Sequence, residues 1–544
     1  MVINMKIEIY DTTLREGAQG AGVVFSDYEK QRIIAELDSL GIDFIEAGFY
    51  SPGSAASLLP LPSRVALRSA RLSLLCSTRH AGRTAEDDPT LQEICASAYP
   101  AVAVVGKASL SHVADILGTT PDDNLAMIRD TVRMLRTAGK FVLFDAEHFF
   151  DAYAESSPYA LAALRAALEA GADRVVLCDT NGGCLPDTVG ETVARVRAEF
   201  PDAVIGIHCH NDMGMADAAT VAAVQKGAGQ VQCTVSGVGE RCGNANLSTV
   251  IPVLQLKLGL SCIPPERLTA LAPAARRICQ TANIGFDECE PFVGGHAFMH
   301  KAGLHIDAVK KRPDSFEHID PALVGNTRSL VVSELSGRAA LADALEKFGF
   351  SYSKDAPELS LVMDALRQAE AEGRQFENSE ASLLLLICRA LGTVSAPFEL
   401  IDYKLLFQGE GDPARRWSAI VKFRAAGGRL GGEELRVAEG DGPVNAVDLA
   451  AHGALHHLFP CMDRLKMVDI KARIDSNDRA ASASIVRVYV ESGDGERVWR
   501  TMGASTDIIA ASFQALLDSY EYYILLCGGK LPRRSRDAAA PSLR

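Results

Sequence analysis

The stretch Ala203-Val204-Ile205-Gly206-Ile207-His208-Cys209-His210-Asn211-Asp212 reads as a buried strand running into a polar turn. An unbroken apolar run of this kind suits a strand covered on both faces, as in a parallel sheet. Side chains two apart on a strand point the same way, so His208 and His210 share one side and Cys209 faces the other. Two imidazoles aimed at one point suit a shared divalent cation. The alternative is a hydrogen-bonded histidine pair at a strand end, and the ends of the neighbouring strands decide between the two.

Seven more β-rich runs surround this one. They begin near Ile7-Glu8-Ile9-Tyr10, Phe44-Ile45-Glu46-Ala47, Leu72-Ser73-Leu74-Leu75, Val102-Ala103-Val104-Val105, Val142-Leu143-Phe144, Val175-Val176-Leu177 and Val231-Gln232-Cys233-Thr234. Helical patterns lie between them, such as Asp27 to Leu40 and Asp122 to Ala138, and glycines such as Gly41 and Gly171 mark helix ends. Strands alternating with helices mean a parallel sheet. Eight such units in about 270 residues predict a TIM (β/α)8 barrel over residues 1–275, with its site at the C-terminal strand ends. The competing fold, a doubly wound open sheet, usually shows a glycine-rich first turn, which is absent here.

In a closed barrel strand 8 pairs with strand 1, so strands 7, 8 and 1 are neighbours. Strand 1 ends in Asp11-Thr12-Thr13-Leu14-Arg15-Glu16-Gly17-Ala18-Gln19, and strand 8 runs into Ser236-Gly237-Val238-Gly239-Glu240-Arg241-Cys242-Gly243-Asn244-Ala245-Asn246. A carboxylate, two imidazoles and amides are thereby expected at one site, with Cys209 turned away. That oxygen and nitrogen set suits Mg²⁺, Mn²⁺, Co²⁺ or Zn²⁺ with positions open for a chelating substrate.

Residues 276–375 read as mostly helical connecting segments broken by polar punctuation such as Lys311-Arg312-Pro313-Asp314. From Phe376 the character changes. Strands from Phe398 to Phe407 and from Trp417 to Arg424 precede the turn Glu439-Gly440-Asp441-Gly442-Pro443 and a helix from Val444 to Leu458. Strands from Met467 to Ile474, Ala483 to Val490 and Arg497 to Met502 precede a turn at Gly503-Ala504-Ser505-Thr506 and a helix from Asp507 to Leu526. Repetition at a period of roughly 60 residues predicts a duplicated α+β unit over 376–530. A polar tail over 531–544 is expected to fray.

A chain of 544 residues is too long for one core, so two or three domains are expected. The net charge of −14 disfavours nucleic acid as a partner, because phosphate binding needs a basic face. No apolar run reaches membrane-spanning length, and the first ten residues lack the apolar segment of a signal peptide. Thirteen scattered cysteines without Cys-x-x-Cys fit a reduced, cytoplasmic chain.

The motifs Asp11-Thr12-Thr13-Leu14-Arg15-Glu16-Gly17, His208-x-His210 and Gly239-Glu240-Arg241-Cys242-Gly243-Asn244 resemble the DRE-TIM metallolyase superfamily. More narrowly they resemble its branch of isopropylmalate, homocitrate and citramalate synthases. The likeness spans the chain, since the duplicated C-terminal unit resembles the amino-acid-binding regulatory domain of those synthases. Phe144-Asp145-Ala146-Glu147-His148-Phe149-Phe150-Asp151 and His300-Lys301-Ala302-Gly303-Leu304-His305 are most similar to citramalate synthases.

The resemblance implies Glu16, His208, His210 and Asn244 as metal ligands, and Arg15 beside the metal, stabilising an enolate or alkoxide oxygen. It implies Thr180 as the residue that binds the carboxylate of a 2-oxo acid, with Glu147 and His305 as catalytic groups. Asp11 is read either as support behind the ligands or as a turn cap. The implied reaction joins acetyl-CoA to a 2-oxo acid, pyruvate first, with the connector closing over the mouth. A homodimer and a branched-chain amino-acid effector, isoleucine before leucine, are implied as partners. This sequence departs from the family pattern at two places. Glu16 stands where citramalate synthases commonly carry aspartate, and Glu46-Ala47-Gly48-Phe49-Tyr50-Ser51-Pro52-Gly53 replaces a Gly-Gly-Trp-Pro-Gly run. The alternatives are 2-isopropylmalate or homocitrate synthesis, a specialised 2-oxo acid, or an inactive metal-binding amino-acid sensor.

Overall fold

Strand β1 (Glu8–Asp11) pairs with β2 (Phe44–Phe49), and parallel pairing continues through β3 (Arg71–Ser77), β4 (Ala101–Lys107), β5 (Phe141–Glu147), β6 (Arg174–Asp179), β7 (Ile205–Cys209) and β8 (Gln230–Cys233). β8 returns to β1, with Asp11 opposite Cys233, and closes the barrel. The structure is a computed structural model. It describes residues 6–300, 305, 308–309, 311–330, 341–342, 345–346, 348–353, 355–376, 379–408, 416–426, 432–474, 484–495 and 497–532. The expected (β/α)8 barrel is thus realised, and the open sheet is excluded.

Alternation along each strand sorts its residues into two layers. Ile45, Leu74, Val104, Phe144, Leu177, Ile207 and Cys209 join the apolar layer under the helices. Tyr10, Phe44, Leu75, Ala103, Leu143 and Val176 fill the lumen. At the N-terminal strand ends, Glu8 takes a two-pronged ion pair from Arg174, at 2.9 and 2.8 Å. The guanidinium groups of Arg174 and Arg71 lie 5.1 and 5.2 Å from the centre of the Phe141 ring. That end is filled, so room for chemistry is left at the C-terminal ends.

Local signals agree with this layout. Helix Asp27–Leu40 begins at Ser26, whose hydroxyl accepts from Glu29 N while the Glu29 carboxylate accepts from Ser26 N. It buries Ile33, Ile34, Leu37 and Leu40 and stops at Gly41, whose φ of +90° suits glycine. A Cβ there would also stand 2.7 Å from Pro264.

The chain divides into two compact units: residues up to Met299 with His318–Ser329, and His300–Glu317 with Leu330 onward. In the second unit, β9 (Phe398–Gln408), β10 (Arg416–Ala425) and β11 (Glu433–Gly440) form one antiparallel sheet, followed by helix Pro443–Leu458. A second sheet of β12 (Lys466–Ile474), β13 (Val486–Gly493) and β14 (Val498–Ser505) is followed by helix Ile508–Cys527. The duplication is borne out, with corrections. β11 is absent from the sequence reading, because Glu433, Glu434, Arg436 and Glu439 give it a polar look and it is exposed along most of its length. Gly503 lies inside β14 rather than in a turn. A Cβ there would stand 2.0 Å from Ala511 O, and one at Gly440, its counterpart, 2.4 Å from Ala446 N. Each glycine lets a helix lie close against the last strand of its sheet. β12 is exposed along its whole length, with Met467, Val468, Ile470 and Ile474 between 36% and 65% accessible. The expected frayed tail lies almost wholly outside the described residues.

A buried ionic network ties this unit together. Asp518 accepts from Arg374 at 2.6 Å, from Ser382 Oγ at 2.7 Å and from Arg389 at 3.1 Å. Removing one partner of a buried pair leaves an uncompensated charge and costs about 3–5 kcal/mol. Asp518→Ala is expected to lose stability by that amount, read as a fall in the denaturant midpoint of this unit; an unchanged midpoint overturns the estimate. All thirteen cysteines are free thiols. No helix among the described residues is long and apolar enough to cross a membrane.

Candidate active site

Three neighbouring strand ends converge. Glu16 sits in the turn after β1, His208 and His210 at the end of β7, and Asn244 in the loop after β8, where it bridges to His210. The Glu16, His208 and His210 donor atoms lie within 4.8 Å of one another, and all three residues are buried. The two imidazole rings stand 5.0 Å apart, and His210 Nε2 is 3.3 Å from Glu16 Oε1. The glycines of the β8 loop allow this approach. A Cβ at Gly239 would overlap Asn244 Nδ2, and one at Gly243, whose φ is +90°, would overlap Gly237 O.

Burial, then the positive charges of Arg241 and Arg15, push His210 down to about 4. Burial, with His210 and Arg15 nearby, holds His208 well below the usual histidine range. Both rings are therefore neutral near pH 7, the form that can ligate a cation. Asn244 Oδ1 is buried without a hydrogen-bond donor, as are His208 Nδ1 and Gln232 Oε1. Two neutral imidazoles, a carboxylate and an unpartnered amide oxygen fit a hard or borderline divalent cation.

Arg15 is nearly buried. Its Nε donates to Glu46 Oε2 at 2.5 Å and its Nη1 abuts Glu16. Glu46 in turn accepts from Tyr10 Oη at 2.8 Å. Asp11 accepts from Thr13 N at 3.0 Å and Thr13 Oγ1 at 2.8 Å, and Thr13 Oγ1 accepts from Val235 N. Of its two readings, the turn cap is what these contacts describe. Across the lumen, Glu147 ends β5 and pairs with Lys107 at the end of β4. Thr180 follows β6, and its Oγ1 accepts from His148 N at 2.8 Å. Arg241 grips Asp212 at 2.7 and 2.8 Å and donates to Thr180 O at 2.8 Å, tying the loops after β6, β7 and β8. His305 belongs to the second unit, exposed and stacked on Phe316 with ring centres 4.2 Å apart.

Glu46, Lys107, Asp145 and Gln232 are absent from the sequence reading of the site. The signal was there in part: a charged residue at an inward position of an otherwise apolar strand, as in Phe44-Ile45-Glu46-Ala47, needs a buried partner.

The closed parallel barrel that carries these carboxylate and imidazole groups at adjacent strand ends is the span the HMGL-like family matches, residues 6–273. The homocitrate synthase post-HMGL domain-like family matches 292–373, and the LeuA allosteric (dimerisation) domain 377–524. The chain is 42% identical to an (R)-citramalate synthase of Aquifex aeolicus, covering 96% of this chain and 98% of that one. It is 41% identical to an (R)-citramalate synthase of Synechocystis, covering 96% and 97%. It is 29% identical to a 2-isopropylmalate synthase of Methylorubrum populi, covering 94% of each. The chain belongs to the family of the citramalate, 2-isopropylmalate and homocitrate synthases, on the citramalate side, and is an acyltransferase of the acetyl-CoA-condensing type.

Proposed function

We propose that the chain joins the methyl carbon of acetyl-CoA to the keto carbon of pyruvate and hydrolyses the thioester, yielding citramalate and CoA in the cytoplasm. The observation that carries this reading is the convergence of Glu16, His208 and His210 beside the buried Arg15. Glu16, His208, His210 and Asn244 hold the divalent cation, one of Mg²⁺, Mn²⁺, Co²⁺ or Zn²⁺. When bound, the cation supplies Lewis-acid polarisation of the acceptor ketone.

The chain's own residues do the rest. The Thr180 hydroxyl accepts the His148 N–H, so its own proton is free for the acceptor carboxylate. A base, for which Glu147 and His305 are the candidates, takes a methyl proton from acetyl-CoA. The resulting carbon nucleophile bonds to the keto carbon while Arg15, desolvated and held by Glu46, stabilises the oxygen that gains charge. That oxygen takes a proton, and water then cleaves the thioester to give a carboxylate and the CoA thiol.

A panel of 2-oxo acids assayed for thiol release from acetyl-CoA tests this reading. Pyruvate is expected to give the highest kcat/KM. A preference for a branched or longer 2-oxo acid transfers the assignment to 2-isopropylmalate or homocitrate chemistry. Absence of thiol release with every acid leaves the sensor reading.

Since burial holds His208 well below the usual histidine range and His210 at about 4, Mn²⁺ affinity is expected to stay nearly flat between about pH 8 and pH 6. An exposed histidine pair, titrating near pH 6.5, would lose affinity over that range. Titration calorimetry at the two pH values separates the cases.

The C-terminal unit is proposed to pair with a second copy through exposed apolar strand positions such as Val437, Val468 and Ile470, and to bind a branched-chain amino acid. Millimolar isoleucine is expected to inhibit and to raise the Tm of the intact protein. If neither isoleucine nor leucine alters activity or Tm, the unit is a dimerisation module only.

A further inference from the structure

We infer that Gln232 and Asp145 form a positioning relay behind His208 that selects the tautomer able to bind the cation. The inference rests on the metal-centre reading above and adds residues that it does not use. Gln232 lies on β8 directly opposite His208 on β7, and both point into the lumen. Its Nε2 donates to Asp145 Oδ1 on β5 at 3.2 Å, in a fully buried contact. In its ionised form Asp145 accepts and cannot donate, so with that carboxyl charged this bond fixes which end of the amide faces it. The other end, Gln232 Oε1, is buried without a donor, and the Gln232 side chain lies against the His208 imidazole. His208 Nδ1 is likewise buried without a partner.

The two unsatisfied atoms are complementary in one tautomer only, with the proton on Nδ1 donated to Gln232 Oε1. That tautomer leaves the Nε2 lone pair free. A ligating histidine commonly donates its other ring N–H to a neighbouring acceptor, which orients the ring and raises its basicity. Here the acceptor is an amide, and Asp145 supplies its orientation. Asp145 is itself in the field of Glu46 and Arg15, so the carboxyl that orients Gln232 is electrostatically linked to the group beside the reacting oxygen.

The test is Mn²⁺ binding to the full-length protein, followed by calorimetry and by the paramagnetic resonance signal of free Mn²⁺. Gln232→Met keeps the volume and removes the acceptor; it is expected to weaken Mn²⁺ binding roughly 10- to 100-fold, the usual range for such supporting partners. Gln232→Glu keeps an acceptor toward His208, and Asp145, pushed up to about 7 chiefly by burial, can take a proton and donate to it. That variant is expected to stay within about threefold of the unmodified chain, a rescue that a merely space-filling role does not produce. Asp145→Asn, whose amide can present either end to Gln232, is expected to weaken binding several-fold, and it carries the test if Gln232→Met fails to fold. Unchanged affinity in a folded Gln232→Met or in Asp145→Asn, or loss in Gln232→Glu equal to that in Gln232→Met, overturns the relay alone. Absence of stoichiometric Mn²⁺ binding by the unmodified chain overturns the metal-centre reading, and the relay with it.

Discussion

His208→Ala with His210→Ala is expected to abolish thiol release from acetyl-CoA and to leave the purified protein without a bound divalent cation. The two rings are buried, neutral and aimed at the same space as Glu16, and their loss leaves one carboxylate and one amide oxygen. Lewis-acid stabilisation contributes several kcal/mol. At about 1.4 kcal/mol per factor of ten, kcat/KM should fall by on the order of a thousandfold or more. Elemental analysis and the thiol assay read the two effects separately. Full metal occupancy with activity in the double variant refutes the centre, and lost activity with retained metal moves the role of the rings from ligation to substrate contact.

Arg15→Lys is expected to lower kcat by on the order of a hundredfold or more, the usual cost of removing an oxyanion donor, with a much smaller change in acetyl-CoA KM. Arg15 uses two faces of its guanidinium at once, Nε toward Glu46 and Nη1 toward Glu16. A lysine presents one compact charge on a flexible stem and cannot reproduce that fork. It would pair with one carboxylate and leave the other short of a partner in a buried setting. A lysine variant with near-normal kcat would show that only the charge matters.

The barrel was legible because its strands are continuous apolar runs with helices and glycine stops between them. The same period-two rule that put His208 and His210 on one side placed Cys209 in the outer layer, where the structure has it. The charge-rich strand β11 escaped, since an exposed strand with glutamate on both faces lacks the apolar signal from which strands are read. The groups behind the site escaped for another reason. Glu46, Asp145 and Gln232 come from β2, β5 and β8, and what brings them to Arg15 and His208 is barrel closure. Closure acts between residues far apart in the chain, which local patterning does not reach. Gly503 was misread because glycine serves two purposes: the sequence shows a turn former, and the structure shows a strand position where a helix carbonyl leaves no room for a Cβ.

Strand β12 displays Met467, Val468, Ile470 and Ile474 to water along an edge of its sheet that no other described strand pairs with. Such an edge is a template for another strand or chain, and natural proteins rarely leave one bare. A second copy covering it, as proposed above, would bind only the folded unit, so folding and association would share one equilibrium. For a two-chain assembly, each tenfold dilution takes about 1.4 kcal/mol from the drive to associate. The melting temperature of the C-terminal unit then becomes a function of how much protein is in the tube, falling on dilution and levelling off once single chains predominate.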